Sequence, residues 1–179
     1  MARTRRRRRG FRRNTTKWSP NIQEIGTTDI VATPGTFSTD YTLAFNPIQI
    51  NTAVSQVFTV KNLEVSFYID KDVPLNNENL EDITAYIMYK PQGMTITSSY
   101  NLQHPEYIMA YKFLGSPSLD YVAQVSQSQQ YQPVRVRTRL SRTLQTGDSI
   151  ILFLKGNNTS EGNVSFEFHG LVRWWTKAN

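Results

Sequence analysis

Cysteine is absent from the 179 residues, and histidine occurs only at His104 and His169. Without thiols there is no disulfide framework, no cysteine nucleophile and no cysteine-based zinc site. Neither histidine has a second ligand at the usual metal spacing of about two to four residues, so both are expected to be structural. His169, inside an expected strand, should be buried or at a subunit contact. No glycine-rich phosphate loop of the P-loop or dinucleotide type occurs. Gly147-Asp148-Ser149 sits in a turn and lacks the strand-to-helix setting of a nucleophile elbow. The acids Asp70, Asp72, Glu78, Glu81 and Asp82 read as solvated loops rather than as a cation site. These absences point away from an enzyme, and no catalytic residue, metal or cofactor is expected. The longest apolar run, Ile150-Ile151-Leu152-Phe153-Leu154, is far short of the roughly twenty residues that span a bilayer, so a soluble chain with no membrane insertion is expected.

Acids are also absent from residues 1 to 17, and what stands there instead is the strongest signal in the chain. Arg3, Arg5, Arg6, Arg7, Arg8, Arg9, Arg12, Arg13 and Lys17 give nine positive charges and no negative one. Residues 18 to 179 hold eleven Lys or Arg against fourteen Asp or Glu, so the net +6 divides into +9 on a short arm and −3 on the body. Such a block repels itself and has little apolar surface to offset ordering entropy, so it should be disordered until a polyanion neutralises it. Nucleic acid is the polyanion these residue types suit: a guanidinium pairs two phosphate oxygens at once and can stack on a base. Nine cations on a single strand imply a log-log salt slope of about −6 and little sequence readout. The same run fits what nuclear import receptors read. A secretory signal would need an apolar core after the charges, but Asn14-Thr15-Thr16-Lys17-Trp18 follows, so export is not expected. A membrane-lytic peptide would need an apolar helical face, which the arm lacks.

The remaining length fits one domain with a sizeable core. We divide the chain into a basic arm, residues 1 to 20, for nucleic-acid binding and nuclear localisation, and a single body, residues 21 to 179. After Pro34-Gly35 the body alternates turn formers with segments rich in Val, Ile, Thr, Phe and Tyr. Strands are expected at Thr36 to Phe45, Val57 to Ile69, Ile83 to Lys90, Tyr107 to Phe113, Leu119 to Val125, Val134 to Leu140, Ser149 to Lys155 and Val164 to Trp175. Eight antiparallel strands in one domain suggest a sandwich or jelly roll. Leu80, Ile83 and Ile87 also satisfy a helical spacing, so a short helix before the third strand is an open alternative. Val134, Val136, Thr138 and Leu140 alternate with Arg135, Arg137 and Arg139, which puts core on one face and cations on the other. That stripe suits an inner wall facing nucleic acid, or ion pairs across a subunit contact. Trp18 is placed either to stack on a base or to anchor the arm to the sheet. Trp174 and Trp175 are assigned to core and interface. The acceptor-like triplets at Asn14, Asn157, Asn158 and Asn163 are read as turn chemistry rather than glycosylation sites. Pro91 to Asn101 and Gly156 to Asn163 are candidate exposed contact loops by their polarity.

Three segments carry a family resemblance. They are His104-Pro105-Glu106-Tyr107-Ile108-Met109-Ala110-Tyr111-Lys112-Phe113-Leu114-Gly115, the stretch Arg142 to Ile151, and His169-Gly170-Leu171-Val172-Arg173-Trp174-Trp175-Thr176-Lys177-Ala178-Asn179. With the arginine-rich start and the chain's size, they resemble the capsid proteins of circovirus-like, Rep-encoding circular single-stranded DNA viruses (CRESS-DNA viruses). The resemblance implies an all-β fold, a single eight-stranded antiparallel jelly roll behind a disordered arginine-rich arm. It further implies a homo-oligomeric T=1 icosahedral shell of about sixty copies around a circular single-stranded DNA genome. A nuclear import receptor is an implied partner, and the virion and the host nucleus are the implied locations. Host and cell-surface receptor are not readable. Two rival readings share the arm: the coat protein of a small RNA or satellite virus, and a cellular nucleic-acid-binding β domain that stays monomeric.

Overall fold

The computed structural model describes residues 18–43, 57–70, 80–115 and 134–178. Nine strands run through them: β1 (Ser19–Ala32), β2 (Gly35–Leu43), β3 (Phe58–Asp70), β4 (Leu80–Lys90), β5 (Ile108–Gly115), β6 (Val134–Thr138), β7 (Arg142–Leu144), β8 (Ser149–Asn158) and β9 (Val164–Ala178). The only helical turns among the described residues are α1 (Tyr100–Gln103) and a 3-10 turn at Pro105–Tyr107, both between β4 and β5.

The strands form two sheets. Sheet I has the order β1-β9-β3-β6, with β7 also on β3, and sheet II has the order β2-β8-β4-β5; every recorded pairing is antiparallel. Because β6 and β7 share one edge of β3, the nine strands occupy eight positions. In chain order the strands alternate between the sheets except at β4-β5, both in sheet II, and at β6-β7, both in sheet I on the same edge of β3. Two packed four-position sheets with this crossing pattern are a jelly roll, so the fold is all-β as expected.

Alternation along each strand builds the core between the sheets. Sheet I turns Val65, Phe67, Phe166, Phe168 and Val172 inward, and sheet II answers with Phe37, Ile87, Leu152 and Leu154, all buried. The rings interlock edge-on: Phe37 meets Phe166 at 5.7 Å, and Tyr41 meets Phe168 at 5.3 Å. β9 runs between β1 and β3, and at Gly170 it leaves no room for a side chain against β3. A Cβ there would lie 2.2 Å from the Ser66 carbonyl oxygen and 2.7 Å from Phe67 Cα.

Several expectations are revised. The sequence reading has no strand before Thr36, yet β1 begins at Ser19, inside the stretch drawn as arm. Its exposed Ile22 and Val31 and its irregularity between Thr27 and Ile30 hide the alternation. The strand expected at Leu119 to Val125 lies outside the described residues. The Leu80 segment is a strand and not a helix. A bulge between Glu81 and Thr84, with Asp82 in the left-handed region at φ 53°, brings Leu80 and Ile83 to the same buried side, and that mimics a helical spacing. The same device sits in β3: an extra residue between Lys61 and Glu64, with Asn62 at φ 50°, leaves Val60 and Leu63 both buried.

Pro91 to Asn101 is not a free loop. Together with the turns that follow, it packs on the outer side of sheet II over a second apolar cluster of Met88, Tyr100, Ile151 and Phe153. β8 carries the consecutive run Ile150 to Leu154, buried on both faces, so its outer side needs a cover as well. The cover is pinned at several points. Tyr100 donates its hydroxyl to the Tyr89 carbonyl at 3.1 Å, His104 stacks on Tyr107 at 5.1 Å, and Arg142 donates to the Glu106 carbonyl at 2.7 Å.

Asp148 fastens the same corner, accepting from the Tyr89 hydroxyl at 2.8 Å and from the backbone N–H groups of Gln145 and Gln92 at 3.0 and 3.1 Å. Burial works to raise its pKa, but these three donors outweigh it and hold the carboxyl below its usual range. Burial pushes the Tyr89 hydroxyl up to about 12, aided by Asp148, and likewise pushes Tyr100 up to about 12. The turn expected at Thr146-Gly147-Asp148 is present, with Gly147 at φ 89°. Asn158 does act as a turn residue: it is 2% exposed and its amide donates to the carbonyls of Ala32 and Gly162 at 2.8 Å each.

Candidate nucleic-acid interface

Arg3, Arg5, Arg6, Arg7, Arg8, Arg9, Arg12, Arg13 and Lys17 lie outside the described residues. Description begins at Trp18, and that residue shows where the chain joins the body. The Lys61 ammonium stands 3.8 Å from the centroid of the Trp18 ring, a cation-π contact, and β1 starts at the next residue. Lys61 is on the outward side of β3, opposite Trp175 of β9. The chain therefore enters the fold at the outer face of sheet I, with its indole held by that sheet in the manner of an anchor.

Register then decides which side chains share that face. Ile22 of β1 pairs with Arg173 of β9, Arg173 with Glu64 of β3, and Glu64 with Arg137 of β6. One step along, Glu24, Leu171, Ser66 and Arg135 form the next row. His169 and Tyr68 follow, their rings 5.7 Å apart. The described cations of this face are Lys61, Arg135, Arg137, Arg139, Arg173 and Lys177, against Glu24, Glu64 and Glu167. Glu167 is engaged by its neighbour, the His169 Nε2, at 3.0 Å.

The arginine stripe expected from alternation is thus on an exposed sheet surface at Arg135 and Arg137; Arg139 lies just past the end of β6, which stops at Thr138 and not at Leu140 as expected, and Arg173 joins from β9. Among the described residues, Arg135, Arg137, Arg139 and Arg173 make no ion pair; the carboxylates seen in contact with a basic side chain are Glu106, with His104, and Glu167, with His169. Glu64 stands between two guanidinium-bearing positions without closing on either. Four guanidiniums on one face, without an ion pair among the described residues, are a built-in attraction for anions.

Among the described residues, two hollows are found in this surface. The larger, about 340 Å³, is bounded by Asn62, Glu64, Arg137, Arg139, Arg173 and Trp175, among others. The smaller, about 220 Å³, is bounded by Glu64, Ser66, Arg135, Leu171 and Arg173. Trp174 points into the core at 5% exposure, whereas Trp175 is 40% exposed and lines the larger hollow. Of the two places expected for His169, burial or a subunit contact, burial does not hold: its side chain is 42% exposed, because it falls on the outward parity of β9.

Sequence reasoning missed Lys61, Arg173 and Trp175 as members of this face. Their own strands carry the signal: Arg173 and Trp175 share outward parity with Ser165, Glu167 and Leu171. Joining them to Arg137 required the register across β3.

Among the described residues no group of three acidic or histidine side chains converges as for a metal, and no helix is long and apolar enough to cross a membrane. No family model and no curated protein matches the chain. Among solved structures, a chain of turnip yellow mosaic virus aligns with 91% of this chain and 95% of its own length, at 11% identity and a TM-score of 0.36. A chain of Desmodium yellow mottle tymovirus aligns with 91% of this chain and 84% of its own, at 11% identity and a TM-score of 0.33. At those values the likeness bears on neither function nor cargo, and the jelly-roll assignment stands on strand order and register.

Proposed function

We infer that this chain is a viral coat protein, whose jelly-roll body assembles with copies of itself into a small closed shell and whose basic arm packages nucleic acid. One observation carries the reading: the chain joins the body at Trp18 on the sheet face that also bears Arg135, Arg137, Arg139 and Arg173. The arm's nine cations and this face would then address the same interior cargo. Neither a catalytic residue nor a cofactor has a role in the reading.

The finer assignments follow from the family resemblance. The cargo is circular single-stranded DNA, the shell is a T=1 icosahedron of about sixty copies, and the arginines of residues 3 to 13 also serve nuclear import before assembly. Sixty arms would bring roughly 540 positive charges inside, enough to condense part of a genome and not to neutralise all of it. The sheet I arginines supply some of the remainder.

The test is to purify the protein without denaturant, image the largest fraction by negative-stain electron microscopy, and digest its contents with nucleases. Uniform small shells holding DNase-sensitive, RNase-resistant material are the expected result. Shells holding only RNA, when the protein is made alongside its own replicating DNA, would turn the assignment to an RNA-virus coat protein. A monomer that binds nucleic acid salt-dependently and never closes would turn it to a cellular binding module.

A further inference from the structure

The larger hollow on sheet I has the size and chemistry of a nucleotide seat. Its volume, about 340 Å³, falls within the range of small-ligand sites. The bulge at Asn62 shapes it: the extra residue between Lys61 and Glu64 breaks the even surface of β3 where Trp175 and Arg173 face it. Its lining brings together an aromatic side chain, the exposed Trp175, and three arginines, Arg137, Arg139 and Arg173. Among the described residues Glu64 is the only carboxylate in the lining, against three arginines. A simple anion would use the arginines and leave the ring idle. A nucleotide uses both, its base on the indole and its phosphate on the guanidiniums.

The smaller hollow shares Glu64 and Arg173 with the larger one and adds Arg135. Arg135 and Arg137 are two residues apart on β6, so their rows are about 6.7 Å apart along the strand. That step suits successive phosphates of an extended single strand. A duplex would keep its bases stacked inside and could not lay one on Trp175.

We propose that the larger hollow seats one nucleotide of a single strand, its base on Trp175 and its phosphate between Arg137 and Arg173, while the smaller hollow takes the next phosphate on Arg135. This rests on the reading of the chain as a nucleic-acid-packaging coat protein and gives the folded body, not only the arm, a defined share of the cargo.

Photo-crosslinking tests it on the full chain. The probe is a short single-stranded oligodeoxynucleotide carrying 5-iodouracil, which couples to an aromatic ring stacked on it, and the modified peptide is located by mass spectrometry. The expected product is modified at Trp175. Changing Arg137→Gln and Arg173→Gln together should lower that yield at subsaturating probe about tenfold, equivalent to about 1.4 kcal/mol of binding. Glu64→Gln, which raises the positive surplus, should increase it, an effect that damage to the fold would not produce. Lys155→Gln, on the outer side of sheet II, should leave it unchanged. Modification confined to Trp18 or to sheet II, or equal yields from the arginine variant and Glu64→Gln, would overturn the seat.

Electron microscopy of the same preparations keeps the two readings separable. Shells that package nucleic acid without Trp175 crosslinks refute the seat and leave the coat-protein reading standing. Trp175 crosslinks in a protein that never closes support the seat and refute the shell.

Discussion

The outer faces of the two sheets are built from the same strand geometry and have been put to opposite uses. On sheet II the outward positions Met88, Ile151 and Phe153 are apolar, and the segment from Pro91 to Tyr107 folds back to bury them. On sheet I the outward positions mix the charged Lys61, Glu64, Arg135, Arg137 and Arg173 with the exposed Ile22, Leu171 and Trp175, and among the described residues only Trp18, on Lys61, is seen to pack over the charged ones. A strand that is apolar on both sides must be covered twice, whereas a strand that alternates valine with arginine is complete with one apolar partner. Much of one face has therefore been absorbed into the stability of the molecule, with Tyr111 and Phe113 of β5 left exposed beyond the cover, and the other is left available for a ligand.

That contrast is open to attack, starting with the largest effect. Deleting residues 1 to 17 is expected to spare folding and to cut packaged nucleic acid sharply, flattening the salt slope from about −6 toward the small value the sheet I arginines can sustain. Nucleic-acid affinity measured across a salt series checks this, and a slope that stays near −6 would make the body the main binder. Next, Phe153→Ala should cost about 3–5 kcal/mol in urea unfolding, since it empties the cluster under the sheet II cover. Arg135→Ala should shift stability by no more than about 0.5 kcal/mol, because its side chain touches mainly solvent. Equal costs would show that sheet I is not an open face.

Gly170→Ala is expected to cost about 1–3 kcal/mol, since its Cβ would collide with the β3 backbone, while Gly162→Ala, which meets nothing within 4 Å, should be near neutral. Thermal melts of the pair decide it. The smallest effects concern pH and belong to sheet II alone. Tyr89 and Tyr100 have folded pKa values raised to about 12, so their contribution is intact below the free tyrosine value near 10 and is lost as pH rises from there toward 12. Asp148 is shifted the other way: its contribution is present above the free carboxyl value and is lost as pH falls through its lowered folded value. Stability titrations of Tyr89→Phe and Asp148→Asn should each flatten the matching limb, and an unchanged alkaline limb in Tyr89→Phe would remove that hydroxyl from the account.

How far this could be read in advance differs by element. β6 and most of β9 were legible because apolar and polar residues alternate without a break. β1 was not legible, since its outward Ile22 and Val31 and its bulge blur the period. The bulge in β4 imitated a helix by placing Leu80 and Ile83 on one side. The cover over sheet II was invisible for another reason. Pro91 to Asn101 is polar except at a few positions, and only the doubly apolar run in β8 hinted that something had to lie over it. For the candidate site, Arg135 and Arg137 were legible from their own strand, and Arg139 lies one residue past its end. Arg173, Lys61 and Trp175 were not, because their membership in the face depends on pairing between segments far apart in the chain.

Sequence alone determined the class of the fold and the sign of the charge on the arm and on the β6 stripe, because side-chain period and charge are local properties of a segment. Tertiary structure alone decided which rows meet. It set Glu64 between Arg137 and Arg173, brought Trp175 beside an Asn62 bulge, and laid Trp18 against Lys61. Those are consequences of register, and register is set by the packing of the whole core, where a slip of one residue would turn every outward arginine of a strand inward.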